Sequence, residues 1–286
     1  MKYTITDFNK EYPDEETCLD KVFQNRYGQL KTCPDCQKET NFYRVTKRKC
    51  FSCQNCGFQV HPLADTIFHK SSTPLKLWFF AIFLFSTAKN GVSAKELERH
   101  LGVTYKTAWR MAKQIRELME DEPSMFGGTV EADETYVGGK GKNNKRGRGA
   151  ENKTAVFGVV EREGSVVAKA VSNCKASTVM PLIRENVAIG ANLMTDEFKS
   201  YGKAGLEFNH QTVKHGAKEF VRGDVHTNTI EGFWSQLKRS IDGTFRSVSP
   251  KHLQSYVNEF AWRYNNRDAE LPMFKLLFSK AWKPLA

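Results

Sequence analysis

Three acids are the residues with the clearest chemical potential: Asp133, Asp196 and Glu231. Asp133 lies in Thr129-Val-Glu-Ala-Asp-Glu-Thr-Tyr-Val137, where apolar Val130 and Ala132 alternate with Glu131, Asp133 and Thr135. That period is a strand's, so the three polar side chains share one face. Asp196 ends a short strand, Asn192–Thr195, and loops leaving strand ends commonly build sites. Glu231 falls in a helical pattern whose apolar stripe is Ile230, Phe233, Trp234, Leu237 and Ile241, while Asn228, Glu231, Ser235 and Lys238 share another face. With its stripe buried on a sheet, this helix presents Glu231 beside the strand ends. Carboxylates drawn from two strands and a late helix are the donor set of a two-metal phosphoryl-transfer site. Mg²⁺ (or Mn²⁺) takes hard oxygen ligands, and two ions about 4 Å apart activate the attacking oxygen and steady the leaving one. Each acid alone reads more often as an ordinary strand-end or helix-start carboxylate, Asn228 and Glu231 as a capping box; the ordered set carries the argument.

Cysteine spacing points to a second metal. Of seven cysteines, Cys33-Pro-Asp-Cys36 and Cys53-Gln-Asn-Cys56 form two knuckles with 16 residues between them. Four thiolates so paired close a tetrahedral structural zinc site, which replaces the core that so short a piece cannot build. Cys50 is the alternative to Cys53, although the turn at Cys56-Gly57 favours the later pair. Cys18 and Cys174 read as lone core thiols.

A third pattern spans Ser93–Ile115. Leu97 and Leu101 are one turn apart, Gly102 permits a sharp turn, and Val103, Ala108, Ala112 and Ile115 bury a second helix. Tyr105, Lys106, Arg110 and Lys113 then face outward, as a helix-turn-helix would offer them to a DNA major groove. A plain helical hairpin with a solvated basic face is the competing reading. The loop 138–153 is Gly-rich with six basic residues and one acid, and its Lys142, Arg146 and Arg148 suit a phosphate backbone.

The elements that must position these residues follow from the same periodicities. A short helix starts near Pro13-Asp14-Glu15-Glu16, and the cysteine knuckles sit among β-prone pieces at 41–46 and 58–60. Residues 72–120 read as helical. Strands follow at Thr129–Val137, Ala155–Glu161 and Val166–Val171, then a helix over Ala176–Ala188, strands at Asn192–Thr195 and His210–Val213, and helices over Asn228–Ile241 and Pro250–Asn265. This gives a multi-domain α+β chain of three parts: 1–65, 66–122 and 123–286. Forty-three Lys and Arg against 32 Asp and Glu leave +11, which favours a polyanionic partner. The longest apolar run, Leu77–Ala88, falls short of the roughly 20 residues a spanning helix needs. With no signal-peptide stretch at its start, the chain is expected to be cytoplasmic, and nucleoid-associated when bound to DNA.

The motifs in this order resemble the insertion-sequence DDE transposases of the ISXO2-like (IS1595) family. The resemblance covers nearly the whole chain: the cysteine ribbon, Pro74-Leu-Lys-Leu-Trp78, Gly91-Val-Ser-Ala94, Tyr105-Lys-Thr-Ala-Trp-Arg110, Glu131-Ala-Asp-Glu-Thr-Tyr-Val-Gly-Gly139, Thr195-Asp-Glu197, His226-Thr-Asn-Thr-Ile-Glu-Gly-Phe-Trp234 with Lys238-Arg239, and Arg263-Tyr-Asn-Asn-Arg267. It implies an RNase H-like catalytic domain behind the ribbon and the helix-turn-helix region. It also assigns Asp133, Asp196 and Glu231 as catalytic metal ligands, with Asn228 the alternative third ligand. Lys238 and Arg239 would meet DNA phosphates, and His215 and His226 are weaker candidates for the same role. The implied activity is binding of terminal inverted repeats, metal-dependent cleavage and strand transfer, by a homodimer or larger multimer on DNA. A DNA-binding regulator, a structure-specific nuclease of the same fold and an RNA-binding ribbon protein are the alternatives.

Overall fold

The computed structural model describes residues 3–121, 124–139 and 153–282. They form two compact units, Met1–Leu118 with Ala269–Ala286, and Met119–Asp268.

In the first unit, α1 (Ile5–Glu11) opens on a Thr4/Asp7 capping box, and α2 (Glu15–Tyr27) is capped by Asp14, whose carboxylate accepts the Thr17 N–H at 2.8 Å. A small antiparallel sheet follows, β1 (Phe42–Arg44), β2 (Phe51–Cys53) and β3 (Gln59–Val60). The apolar run becomes α3 (Leu75–Thr87), buried on nearly every side. α4 (Ala94–Leu101) and α5 (Tyr105–Leu118) are joined through Gly102, whose φ of 63° is left-handed and suits a residue without Cβ. After the second unit the chain returns as α9 (Met273–Lys280), which lays Phe274 and Phe278 against α3; the Phe278 ring is 4.5 Å from Phe79. The cysteine piece and the helical piece, divided at residue 65 in the sequence reading, lie in one unit, and the last helix joins them instead of staying with residues 123–268. An α-helix as apolar as α3 needs cover on all sides, and α9 supplies part of it.

The second unit is a five-stranded sheet with helices on both faces. In chain order its elements are β4 (Thr129–Gly138), β5 (Lys153–Glu161), β6 (Val166–Val171), α6 (Ala176–Asn186), β7 (Asn192–Asp196), β8 (Asn209–Val213), α7 (Asn228–Ser240) and α8 (Leu253–Asn265). The spatial order is β6-β5-β4-β7-β8; β4, β5 and β6 pair antiparallel, whereas β4–β7 and β7–β8 are parallel. Alternation divides the core. Val130, Ala132, Phe157 and Val159 face α6, while Val156, Val160, Val166 and Ala168 face the stripe of α7 and the apolar side of α8. The outer edge of β6 is sealed by side-chain amides. Gln254 accepts from Ala170 N and donates to Ala168 O, and Asn265 accepts from Val166 N and donates to Val166 O. Unpaired strand edges invite non-native pairing, and these amides occupy the positions of a sixth strand. Asn265 and Arg263, which holds buried Glu259 at 2.8 Å, explain the Arg263–Arg267 motif as structural.

Among the described residues, no helix is long and apolar enough to cross a membrane.

Candidate active site and metal centre

The zinc reading is tested by sulfur geometry. The Sγ atoms of Cys33, Cys36, Cys53 and Cys56 all lie within 4.8 Å of one another, the one such group of possible metal ligands among the described residues. Cys33–Cys56 and Cys36–Cys53 are 3.7 and 4.0 Å apart. A tetrahedron with Zn–S bonds of about 2.3 Å has S···S edges of about 3.8 Å, so the donors fit the ion. The two knuckles repeat one backbone device: Gln37 N–H returns to Cys33 O and Gly57 N–H to Cys53 O, both at 3.0 Å, with φ of 57° and 78° at those two residues. Thr40 Oγ1 and Asn55 N–H sit 3.3 and 3.4 Å from Cys53 Sγ. Cys50 is outside the group, its thiol 3.6 Å from Gln59 Oε1.

Asp133 lies on the central strand of the second unit's sheet and Asp196 at the end of the neighbouring strand. β4 and β7 run parallel, with Glu131 paired to Met194; Asp133 and Asp196 each lie two residues beyond that last pair on their own strand. Asp196 Oδ1 accepts the Phe198 N–H at 2.9 Å, which turns the chain away at the strand end. α7 packs its stripe on this face, and all five stripe residues are buried. Trp234 Nε1 donates to Asp133 Oδ2 at 3.1 Å. The Trp ring fits because the residue opposite Asp133 on β5 is Gly158, where a Cβ would stand 2.7 Å from Trp234 Cη2. Burial, followed by repulsion from Glu134, Asp196 and Glu231, pushes the Asp133 carboxyl up to about 7. Asp133 thus feels the other two carboxylates, although the three stand wider apart than the cysteine group does. Hard oxygen donors from β4, β7 and α7 are of the kind a divalent cation takes, and Mg²⁺ keeps several waters that can span the gaps between them.

Glu231 stays half exposed in the first turn of α7, on the flank of its apolar stripe. Its Oε1 accepts from Thr227 Oγ1 at 2.9 Å and lies 3.8 Å from His215 Nε2. Thr227 is the residue preceding the helix, so Asn228 is not the cap of a box with Glu231; it sits exposed in the first turn. Lys238 is further along α7, where burial lowers its ammonium pKa and Asp133 partly counters that. Glu134 points away from the site, as alternation requires, and accepts from buried Tyr201 Oη at 2.8 Å. Glu197 also turns aside and accepts the N–H groups of His215 and Gly216.

Among the expected DNA-facing residues of the first unit, Tyr105, Lys106 and Lys113 are exposed, Lys113 within 3.5 Å of Glu117. Arg110 turns inward. Its Nη2 donates to Ser71 Oγ at 3.1 Å and its guanidinium lies 5.7 Å from the Trp78 ring centre, so it braces α5 against α3. Exposed Trp109 stands on the same helix instead. Lys142, Arg146 and Arg148 lie outside the described residues, and Arg239 is exposed near the end of α7.

Sequence reasoning grouped Glu131 with Asp133 but gave it no role. Glu131 is fully buried and joins Arg162, His226 and the start of α7 to the sheet. An acid two residues before Asp133 on the same strand face was the signal; its partners come from distant elements.

Known proteins agree with this organisation. Residues 125–265 match the family model of the ISXO2-like transposase domain, and residues 13–59 match that of the transposase zinc-ribbon domain. Sheet unit and ribbon together are those of a transposase. The chain belongs to the ISXO2-like transposase family. It is similar, at 29% identity over 278 residues (89% of this chain and 92% of that protein), to an uncharacterized protein in transposable element ISH50 of Halobacterium salinarum. It is also 32% identical over 99 residues to an uncharacterized transposase-like protein of Haemophilus influenzae, covering 34% of this chain and 79% of that one.

Proposed function

We propose that this chain is a DNA transposase that binds the terminal inverted repeats of an insertion sequence and catalyses cleavage and strand transfer at their ends. One observation carries the reading. Asp133 and Asp196 stand on the adjacent parallel strands β4 and β7, and Glu231 on α7, which packs over Asp133 through Trp234. Two divalent cations held by these acids, with Asn228 as the alternative third ligand, would supply the charge that activates water or a 3′-hydroxyl and stabilises the leaving oxygen.

The chain's own residues do the rest. Trp234 fixes the Asp133 carboxylate and excludes water behind it, while Lys238 and Arg239 receive phosphates beside the cut. The strand order, three antiparallel strands continued by two parallel ones, supports an RNase H-like domain. α4, the Gly102 turn and α5 support a helix-turn-helix that offers Tyr105, Lys106 and Lys113 to a major groove, with the zinc-held ribbon beside it in sequence. Lys142, Arg146 and Arg148 are proposed to follow the backbone. Two ends must be paired in transposition, so the working form is a dimer or larger multimer on DNA.

The test uses the full chain and duplexes taken from the DNA flanking its own gene, with Mg²⁺ or Mn²⁺. Wild type cuts and joins these ends; Asp196→Ala binds them with unchanged affinity and does neither. An Asp196→Ala chain that joins ends at the wild-type rate refutes the assignment. Cutting without joining by wild type would favour a nuclease, and binding without either would favour a regulator.

A further inference from the structure

We infer that Glu131 is a positioning residue that clamps α7 to β4 and so sets the spacing between Asp133 and Glu231; this rests on the functional reading above. Glu131 is a carboxylate with no exposure to solvent. Burying such a charge is costly unless it is fully partnered. Here three of the partners are supplied by the helix that carries Glu231 and the rest by Arg162 and His226. Oε2 accepts the Thr229 and Ile230 N–H groups at 2.8 and 3.1 Å. Oε1 accepts Thr229 Oγ1 at 2.9 Å and Arg162 Nε at 2.7 Å. The two N–H groups belong to the first turn of α7, where the helix leaves donors unsatisfied and its dipole favours an anion. Thr227 gives that helix no side-chain cap, so a carboxylate from the sheet takes the place of one.

Arg162 extends the clamp. Beyond Glu131 it donates to the carbonyl oxygens of Asp224 and His226 at 2.8 and 3.0 Å, which fixes the segment leading into the helix. His226 Nδ1 sits between Glu131 Oε1 and Arg162 Nη2, at 3.1 and 3.0 Å. The geometry is short in covalent terms. Glu131 is two residues from Asp133 on the same strand face, and its acceptors hold residues 229 and 230, immediately before Glu231. The separation of the two acids is therefore set through one side chain and a few bonds on either side. The apolar stripe fixes how α7 lies on the sheet; the clamp fixes its sliding and rotation at the end where Glu231 stands.

The role separates from mere stabilisation through cation affinity. Loosening a group that orients a metal ligand typically costs roughly 10–100-fold in metal affinity or activity. The test titrates Mn²⁺ into the zinc-loaded full chain, without DNA, by calorimetry, and follows melting temperature, end binding and strand transfer in parallel. Glu131→Gln is expected to weaken Mn²⁺ binding by about tenfold or more and to shift the Mn²⁺ activation curve by the same factor, with end-DNA affinity unchanged. Thr229→Val removes only the hydroxyl donor and keeps both N–H groups and the side-chain shape. It is expected to fold as wild type and to move Mn²⁺ affinity a few-fold in the same direction, so it decides the matter if Glu131→Gln does not fold. Wild-type Mn²⁺ affinity in every variant that folds overturns the inference. Failure of the functional reading looks different: the wild type itself then neither cuts nor joins its ends at any Mn²⁺ concentration.

Discussion

Replacing Asp133 by asparagine should remove activity and make the cation-free protein more stable. The carboxyl is raised from an ordinary 3.8 to about 7 by burial and by Glu134, Asp196 and Glu231. That is roughly a thousandfold tighter hold on its proton, or about 4 kcal/mol at 1.4 kcal/mol per tenfold. Allowing for relaxation, about 2–4 kcal/mol of folding stability is withheld at neutral pH by keeping this group ionised. Asparagine is isosteric, uncharged, and retains an oxygen for Trp234 Nε1. The sign follows from the raised value. Below pH 3.8 the carboxyl is protonated folded and unfolded, and the two proteins melt alike. As pH rises from there towards 7 the unfolded chain gives up its proton first, and wild type loses stability relative to the variant. Above 7 the difference is complete. At about 2–4 °C per kcal/mol, the sheet unit of Asp133→Asn should melt on the order of 5–15 °C higher at pH 8, with most of that gap gone at pH 4.5. Melting would be followed by differential scanning calorimetry across pH with chelator present. Mn²⁺ should then raise the wild type and leave the variant unmoved. A variant that melts below wild type throughout, or a gap that does not change with pH, refutes the electrostatic account of the site.

Gly158→Ala should push Trp234 off Asp133, since the new Cβ would stand 2.7 Å from the ring; a loss of about 1–3 kcal/mol and a fall in strand transfer are expected, and unchanged Trp fluorescence and melting would contradict it. Cys33→Ser or Cys53→Ser should each abolish the single bound zinc measured by atomic emission and unfold the ribbon, whereas Cys50→Ser should keep it; zinc loss in Cys50→Ser alone would reverse the ligand choice. Gln254→Ala with Asn265→Ala should expose the β6 edge, costing about 1–2 kcal/mol per lost amide and raising light scattering near the melting point; a monodisperse double variant of wild-type stability would dismiss the edge-sealing role.

The parts of this fold readable from sequence are those set by local patterns. Strands β4, β5 and β6 announce themselves through β-branched runs, and their observed limits lie within two residues of the expected ones. The Cys-x-x-Cys pairs carry their own turn chemistry, so the four-sulfur group was legible down to the choice of Cys53 over Cys50. Elements that depend on a distant partner were not. α1 and β2 are short, and α9 has an apolar face whose meaning comes from α3, nearly 200 residues earlier. α7 was expected to run to Ile241; its regular part stops at Ser240 and a wider turn, Ile241–Phe245, continues it. Arg110 has outward helical phase, yet Ser71 and Trp78 draw it in, and phase alone cannot register a partner 39 residues away. The positions of the candidate acids on their elements were legible because each sits where its element begins, ends or alternates. The division of labour between Glu131 and Asp133 was not, because it depends on what α7 brings to each.

That division distinguishes an acid that holds a fold from one suited to chemistry. Glu131 and Asp133 share a strand, a face and a helix packed over them; Glu131 is fully buried and Asp133 partly so. Glu131 meets two backbone N–H groups, a hydroxyl and a guanidinium, which together answer its charge. Asp133 meets the indole N–H of Trp234, and the charges that act on it most are the carboxylates of Glu134, Asp196 and Glu231. A fold selected for stability alone would place a neutral residue there, since the same strand shows two residues earlier how a buried acid can be satisfied. A carboxylate whose charge is so little answered is stabilised by positive charge arriving from outside the chain. The excess negative charge is thus both a cost to folding and a source of cation affinity, and one substitution, Asp133→Asn, should remove both, raising stability and abolishing the response to Mn²⁺.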